Sequence, residues 1–252
     1  MAVGYEIESP QVGASSRMSK SRLTEARDQK KTPSFLFDLD GTLLDSAYEH
    51  VMAWREALIE EDIYIPNARI HRCVGMSGKL MLRTVSKELG RRLSQPQTER
   101  LEASHKRRFE RRLKFIRVLP GACELIRYLT RVGVRWAIAT GGDQRTVNRM
   151  IQALHVPSRT PIITADDVAQ AKPDPDVFLE AASRLGVALG DCVVVGDSIW
   201  DLLAAGRSKA LGVGVLSGGY GEAELIQAGA YRVYDNTADL LEHIAEMGIE
   251  PQ

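Results

Sequence analysis

Few cysteines, few aromatics and no excess of either charge mark this 252-residue chain, and each shortage excludes a class of protein. Cys73, Cys123 and Cys192 are far apart, odd in number and form no CxxC pair, which excludes a disulfide framework and a cysteine zinc site. They read as reduced thiols packed in a cytoplasmic protein. Lys plus Arg number 33 and so do Asp plus Glu, so no global charge draws the chain to nucleic acid or an anionic membrane. No apolar stretch approaches the ~20 residues that span a bilayer, and the N-terminus lacks the apolar segment of a secretory signal. Aromatic residues are only 6%, and they do not interleave with basic ones as a nucleic-acid groove requires. The 44% of apolar residues still suffices, at this length, to bury a core without staples.

What is present is ordered along the chain. Residues 1–32 are polar, with Ser15, Ser16, Ser19 and Ser21 among scattered charges, and read as a mobile tail in which Met18 is a second candidate start. Ser34-Phe35-Leu36-Phe37 is a short apolar run ending abruptly in Asp38-Leu39-Asp40-Gly41-Thr42, the pattern of a buried strand feeding a glycine turn. Similar runs recur over 134–140, 162–164, 192–196, 212–216 and 231–234, with amphipathic helical patterns such as 123–129 and 177–185 between them. Short apolar strands alternating with helices predict an α/β fold, a Rossmann-like parallel sheet covered on both faces. One interval breaks the alternation: 47–117 has helical stretches (48–60, 80–89, 97–113) and no strand, so an α-helical cap inserted in a core of 33–46 and 118–252 is expected. The cap segment carries 16 Lys/Arg against 9 Asp/Glu, the core 11 against 20. A positive insert over an acidic core can hold an anionic substrate, although the run Lys106, Arg107, Arg108, Arg111, Arg112 and Lys114 reads as a solvated helix face.

The chemistry lies at the strand ends, where parallel α/β sheets bind ligands. Asp38 and Asp40 are two residues apart, so in extended chain their carboxylates point the same way. Paired carboxylates repel and need a cation, a shared proton or separate environments. Their uses are metal binding and divided nucleophile and acid/base labour; a solvated, capped turn is the bland alternative. Three further strand ends add partners. Thr140-Gly141-Gly142 offers a hydroxyl and glycine amides suited to phosphate. Ala171-Lys172-Pro173-Asp174-Pro175 holds a lysine in a proline-stiffened loop. Gly196-Asp197-Ser198 is followed by Asp201.

This ordered set resembles the haloacid dehalogenase superfamily of phosphotransferases, over roughly Ser34 to the C-terminus and including the place of the helical cap. The resemblance implies Asp38 as the nucleophile that forms an aspartyl-phosphate and Asp40 as the acid that protonates the leaving oxygen and then activates water. It implies Mg2+ held by the Asp38 carboxylate, the Asp40 backbone carbonyl and Asp197, with Asp201 supporting the metal or its waters. Thr140 and the Gly141 amide would bind phosphate oxygens, and Lys172 would neutralise the charge of Asp38 and the phosphoryl group. Asp40 argues for phosphate esters, because an alkoxide needs a proton on departure and a halide does not.

In the cap, Cys73-Val74-Gly75-Met76-Ser77-Gly78-Lys79 opens a helical stretch. Capped members read the leaving group with such a loop, so Gly75, Ser77 and Lys79 are candidate specificity residues; Ser77 as an ordinary helix cap is the alternative. The layout is most similar to phosphoglycolate phosphatase-like members. The β-phosphoglucomutase branch carries an arginine after the loop serine, where Gly78 stands here. A magnesium-dependent phosphomonoesterase acting on a small phosphorylated metabolite, phosphoglycolate first and a sugar phosphate second, is therefore expected. The alternatives are a phosphomutase and a catalytically silent binding protein on the same fold. A monomer or small homo-oligomer with no nucleic-acid or membrane partner is expected. His50, His71, His105, His155 and His243 show no ligand spacing; only His71, beside the candidate loop, is placed near the site. The run Ser217-Gly218-Gly219-Tyr220-Gly221 has the wrong spacing for a nucleotide motif and reads as a loop after a strand.

Overall fold

The computed structural model describes Met1 and residues 32–250, so the expected tail, Thr32 apart, and the alternative start at Met18 lie outside the described residues. Six strands form one parallel sheet: β1 Ser34–Phe37, β2 Trp136–Ala139, β3 Ile162–Ile163, β4 Cys192–Gly196, β5 Leu211–Val215 and β6 Arg232–Tyr234. Their order is β3-β2-β1-β4-β5-β6. The order reverses between β1 and β4, and the crevice beyond their carboxyl ends is where open α/β sheets take ligands. The strand expected from Val134 starts at Trp136, because the Val134 amide donates to Leu129 O at 2.9 Å and closes the preceding helix.

The strands read as unbroken apolar runs because both faces of the sheet are covered. Phe35, Phe37, Val193, Val195, Trp136 and Ile138 point to one face, packed with α5 (Ala122–Arg131), α6 (Gln144–Met150) and α10 (Thr237–Glu242). Leu36, Ala137, Ala139 and Val194 point to the other, under α7 (Asp176–Leu185) and α8 (Ile199–Ser208). The remaining helix of this part, α9 (Glu222–Gln227), packs Leu225 beside Leu202 and Tyr220.

Between β1 and α5 the chain forms α1 (Ala47–Glu60), α2 (Asn67–His71), α3 (Gly78–Glu88) and α4 (Gln95–Arg112). Ser77 caps α3 and Ser94 with Gln97 forms a capping box on α4, so these helices begin where local chemistry satisfies their first amides. They enclose their own apolar cluster, including Val51, Trp54, Leu58, Met81 and Leu101. The basic run on α4 is not simply a solvated face. Arg108 and Arg112 turn inward to Glu49, Glu56 and Glu60 of α1, while Arg107, Arg111 and Lys114 are exposed. The two chain crossings run side by side: Asp45 N donates to Arg117 O at 2.8 Å and Leu119 N to Leu43 O at 3.0 Å.

Candidate active site

Strand register gathers the predicted residues. Phe37 pairs with Ile138 of β2 and Val195 of β4, so the chain leaves the three strands at one level. Asp38, Thr140 and Asp197 follow directly from those ends. Asp38 is buried, and the Lys172 ammonium donates to its Oδ1. Lys172 Nζ also lies 2.7 Å from Asp201 Oδ1. The other oxygen of Asp201 accepts from the Ser198 amide and hydroxyl at 3.2 and 2.6 Å, which caps α8. Asp201 thus ties Lys172 to a helix N-terminus. Asp197 accepts from the Thr42 hydroxyl at 3.0 Å. A Cβ at Gly41, whose φ is +82°, or at Gly218 would collide with the Asp197 carboxylate, so both positions need glycine.

One ligand atom each from Asp38, Asp197 and Asp201 lies within 4.8 Å of the others, all three buried. Burial and the neighbouring carboxylates push Asp38 up to about 7 despite Lys172. Burial, then Asp201 and Asp38, push Asp197 well above its ordinary range. Burial opposes the Lys172 charge, but Asp201 and Asp38 outweigh it and hold the ammonium. Three buried carboxylates facing one ammonium leave negative charge that a hard cation with oxygen ligands would compensate, so the donor set fits such an ion. A cation would have to displace protons below about pH 7, because the folded pKa of Asp38 stands above the ordinary 3.8. Affinity for a divalent cation should therefore rise with pH through about 7. Calorimetry in buffers of different ionisation enthalpy should show proton release on cation binding at about pH 6. A pH-independent affinity across that range would contradict this charge balance.

Asp40 occupies a different environment. It accepts from the Ser46 hydroxyl at 2.5 Å, sits 3.4 Å from His50 Nε2, and has the Thr140 hydroxyl at 3.4 Å. Burial raises it, but His50 and Ser46 outweigh that and hold the carboxyl below its ordinary range. Two neighbouring carboxylates are thus pushed apart, Asp38 up and Asp40 down, so an ionised Asp38 calls for a further cation and a protonated Asp40 for a neighbouring proton donor. Thr140 Oγ accepts from the Gly142 amide at 3.1 Å, which fixes the turn where Gly141 is exposed.

The cavity over these groups has a volume of ≈ 520 Å³ and is lined by Asp38, Asp40 and Lys172 below and by Gly75, Gly78 and Lys79 above. Ser77 is outside this lining; its Oγ accepts from the Leu80 amide at 3.2 Å and caps α3.

Histidines are where sequence reasoning falls short. His50 and His105 line the cavity, with His50 Nδ1 3.1 Å from His105 Nε2. His50 stacks on Phe109 and His105 on Trp54. Burial holds His105 well below its ordinary range, as a neutral ring. The only available signal was His50 lying on the first helix after the aspartates, ten residues beyond Asp40. His71, the histidine expected near the site, is instead part of a wall behind it. Its Nε2 donates to Gly218 O at 2.7 Å, and its ring stacks on Tyr48. The glycine run is accordingly more than a loop: Ser217 donates to Gly41 O at 2.6 Å and Gly218 backs Asp197.

A family model described as haloacid dehalogenase-like hydrolase matches residues 33–209. The solved structure of a hydrolase from Pseudomonas syringae superimposes with a TM-score of 0.83 and 49% sequence identity, over 85% of this chain and 98% of that one. Hexitol phosphatase A of Escherichia coli is 32% identical over 169 residues, 65% of this chain and 74% of its own. β-Phosphoglucomutase of Bacillus subtilis is 26% identical over 211 residues, 81% of this chain and 90% of its own.

Proposed function

The chain belongs to the haloacid dehalogenase-like hydrolase family, and on that premise we propose that it is a magnesium-dependent phosphomonoesterase acting on a small phosphorylated metabolite through an aspartyl-phosphate. The observation that carries the reading is the contrast between Asp38, buried against Lys172, and Asp40, hydrogen-bonded to Ser46 beside His50. The Asp38 carboxylate attacks phosphorus, and the bond from phosphorus to the ester oxygen breaks. Asp40 gives that oxygen its proton, then takes a proton from the water that attacks the phospho-aspartate, releasing inorganic phosphate and restoring Asp38. Asp38, Asp197 and the Asp40 carbonyl would hold the magnesium ion, which offsets the charge of the phosphate dianion. Thr140 and the Gly141 amide orient phosphate oxygens, and Lys172 keeps Asp38 from repelling the dianion.

His50 answers a difficulty that the partners of Asp40 create. A carboxyl held below its ordinary range is a weak proton store. The His50 imidazole, with Nε2 3.4 Å from Asp40 Oδ1 and Nδ1 3.1 Å from His105 Nε2, is placed to exchange a proton with Asp40 as the leaving oxygen gains charge. The α1–α4 segment acts as the cap, covering the site with Gly75, Gly78 and Lys79.

Asp40→Asn tests this division of labour. Turnover of an alkyl phosphate should fall by about 10²–10⁴-fold, and turnover of p-nitrophenyl phosphate, whose leaving group needs little protonation, by much less. His50→Gln should show the same split, smaller. Equal losses on both substrates would contradict acid catalysis by Asp40. The relative named β-phosphoglucomutase keeps a mutase as the second reading; release of inorganic phosphate in step with substrate loss distinguishes hydrolysis from isomer formation.

A further inference from the structure

We infer that Trp200 and Tyr220 are positioning residues: by donating to one cap carbonyl, Arg72 O, they set how closely the loop 73–77 stands over Asp38 and Asp40. The inference rests on the phosphatase reading above and deepens it, since this loop faces the leaving group.

Arg72 is where α2 ends, so its carbonyl is one of those that a helix leaves without an internal partner. The core supplies the partners. Trp200 Nε1 donates to Arg72 O at 3.1 Å and the Tyr220 hydroxyl donates to the same oxygen at 3.2 Å, which uses both of its lone pairs. Tyr220 is buried, and burial pushes its hydroxyl above the ordinary phenol range, so it remains a donor across neutral pH. The two donors come from the two elements that hold the acidic group. Trp200 stands in the first turn of α8 beside Asp201, and Tyr220 lies in the glycine run that backs Asp197. One cap oxygen is thus tied to both sides of the site floor.

Contacts around this oxygen leave little slack. A Cβ on Gly75, whose φ is +94°, would stand 2.9 Å from Ser198 Oγ and 3.2 Å from Trp200 Cδ1, so the loop backbone rests directly on the start of α8. A Cβ on Gly219 would stand 2.7 Å from the Tyr48 hydroxyl oxygen and 3.2 Å from His71 Nε2, so the glycine run lies equally close to the cap. The Arg72 guanidinium covers the Tyr220 ring at 4.5 Å from its centroid and reaches Glu224 Oε1 at 3.0 Å. The loop runs from this anchor to Ser77, which caps α3, and Gly75, Gly78 and Lys79 line the cavity along that course. A leaving group that reaches the cap depends on the height of the loop. The phosphoryl group, which the phosphatase reading assigns to Thr140 and Lys172 of the core, does not.

The experiment compares kcat/KM of the full chain with magnesium for p-nitrophenyl phosphate, whose aryl group reaches the loop, and acetyl phosphate, whose two-carbon leaving group stays below it. Neither leaving group needs much protonation, so the ratio of the two reads contact with the cap and not acid catalysis. Trp200→Phe and Tyr220→Phe each keep a ring and remove one donor. Each should lower the ratio by about twofold or less, because the other donor still holds Arg72 O, and the double variant should lower it by about tenfold. Lost metal affinity or lost folded protein would slow both substrates alike and leave the ratio unmoved. Gly75→Ala keeps both donors but drives the loop off α8; it should lower the ratio as the double variant does, and it decides the matter should the double variant not fold. A ratio unmoved in the double variant or in Gly75→Ala would overturn the inference, as would a loss in the double variant equal to the product of the two single losses. A wild type that turns over neither substrate would overturn the phosphatase reading, and the positioning role with it.

Discussion

Asp38→Asn should lower turnover by about 10⁴-fold or more on every phosphate ester. The amide has no charge to donate to phosphorus, and one carboxylate of the buried acidic group is lost to the cation. The fold should tolerate the change. The new amide oxygen still accepts from Lys172, and burial already pushes the Asp38 carboxyl up to about 7, so replacing it removes no well-solvated charge at neutral pH. The raised pKa also gives the sign of the pH dependence. A buried acid whose folded pKa exceeds its unfolded value contributes stability below about pH 4 that is lost as pH rises through about 7. Without metal, the variant should therefore gain stability relative to the wild type as pH increases over that window. Two readings check the prediction: thermal unfolding in chelator across pH, and the phosphorylated protein trapped by rapid acid quench, present in wild type and absent in the variant. Residual activity above about 1% of wild type, with the same phosphorylated peptide, would remove Asp38 from the nucleophile's role.

Lys172→Met should be the most destabilising single change in the site. Lys172 is 1% exposed, and its ammonium is the one cation shared by buried Asp38 and Asp201. Removing one partner of a buried ion pair leaves an uncompensated charge, at a cost of about 3–5 kcal/mol. For a chain of this size that corresponds to a Tm lower by roughly 6–20 °C. The deficit should grow between about pH 5 and pH 8, because protonation relieves the stranded carboxylates at the acid end. Magnesium should restore part of the loss, since a bound cation replaces the missing charge. Activity should fall as well, because Asp38 would then face the phosphate dianion unneutralised. A variant in chelator at pH 8 with a Tm within about 2 °C of wild type would show that Lys172 does not balance this acidic group.

Local pattern alone determined a large part of this protein. Apolar runs of four or five residues ending in Asp38, Thr140 and Asp197 specify buried parallel strands with chemistry at their ends, because a strand covered on both faces must be apolar throughout and the first polar residue marks its exit. The spacing of Asp38 and Asp40 and the serine before α3 are equally local, and both are readable without a structure. Partnership was not. Which carboxylate Lys172 takes depends on the alignment of β1 with β4, and Asp201 faces the lysine because α8 starts where β4 ends. His50 and His105 are 55 residues apart, and only the packing of α1 on α4 brings their rings together above Asp40. The same packing takes Arg108 and Arg112 out of the basic run and leaves Lys106 to face Asp143. Charge counted along a sequence gives the sum for a segment; how those charges cancel depends on distances of a few ångströms, and tertiary structure sets those.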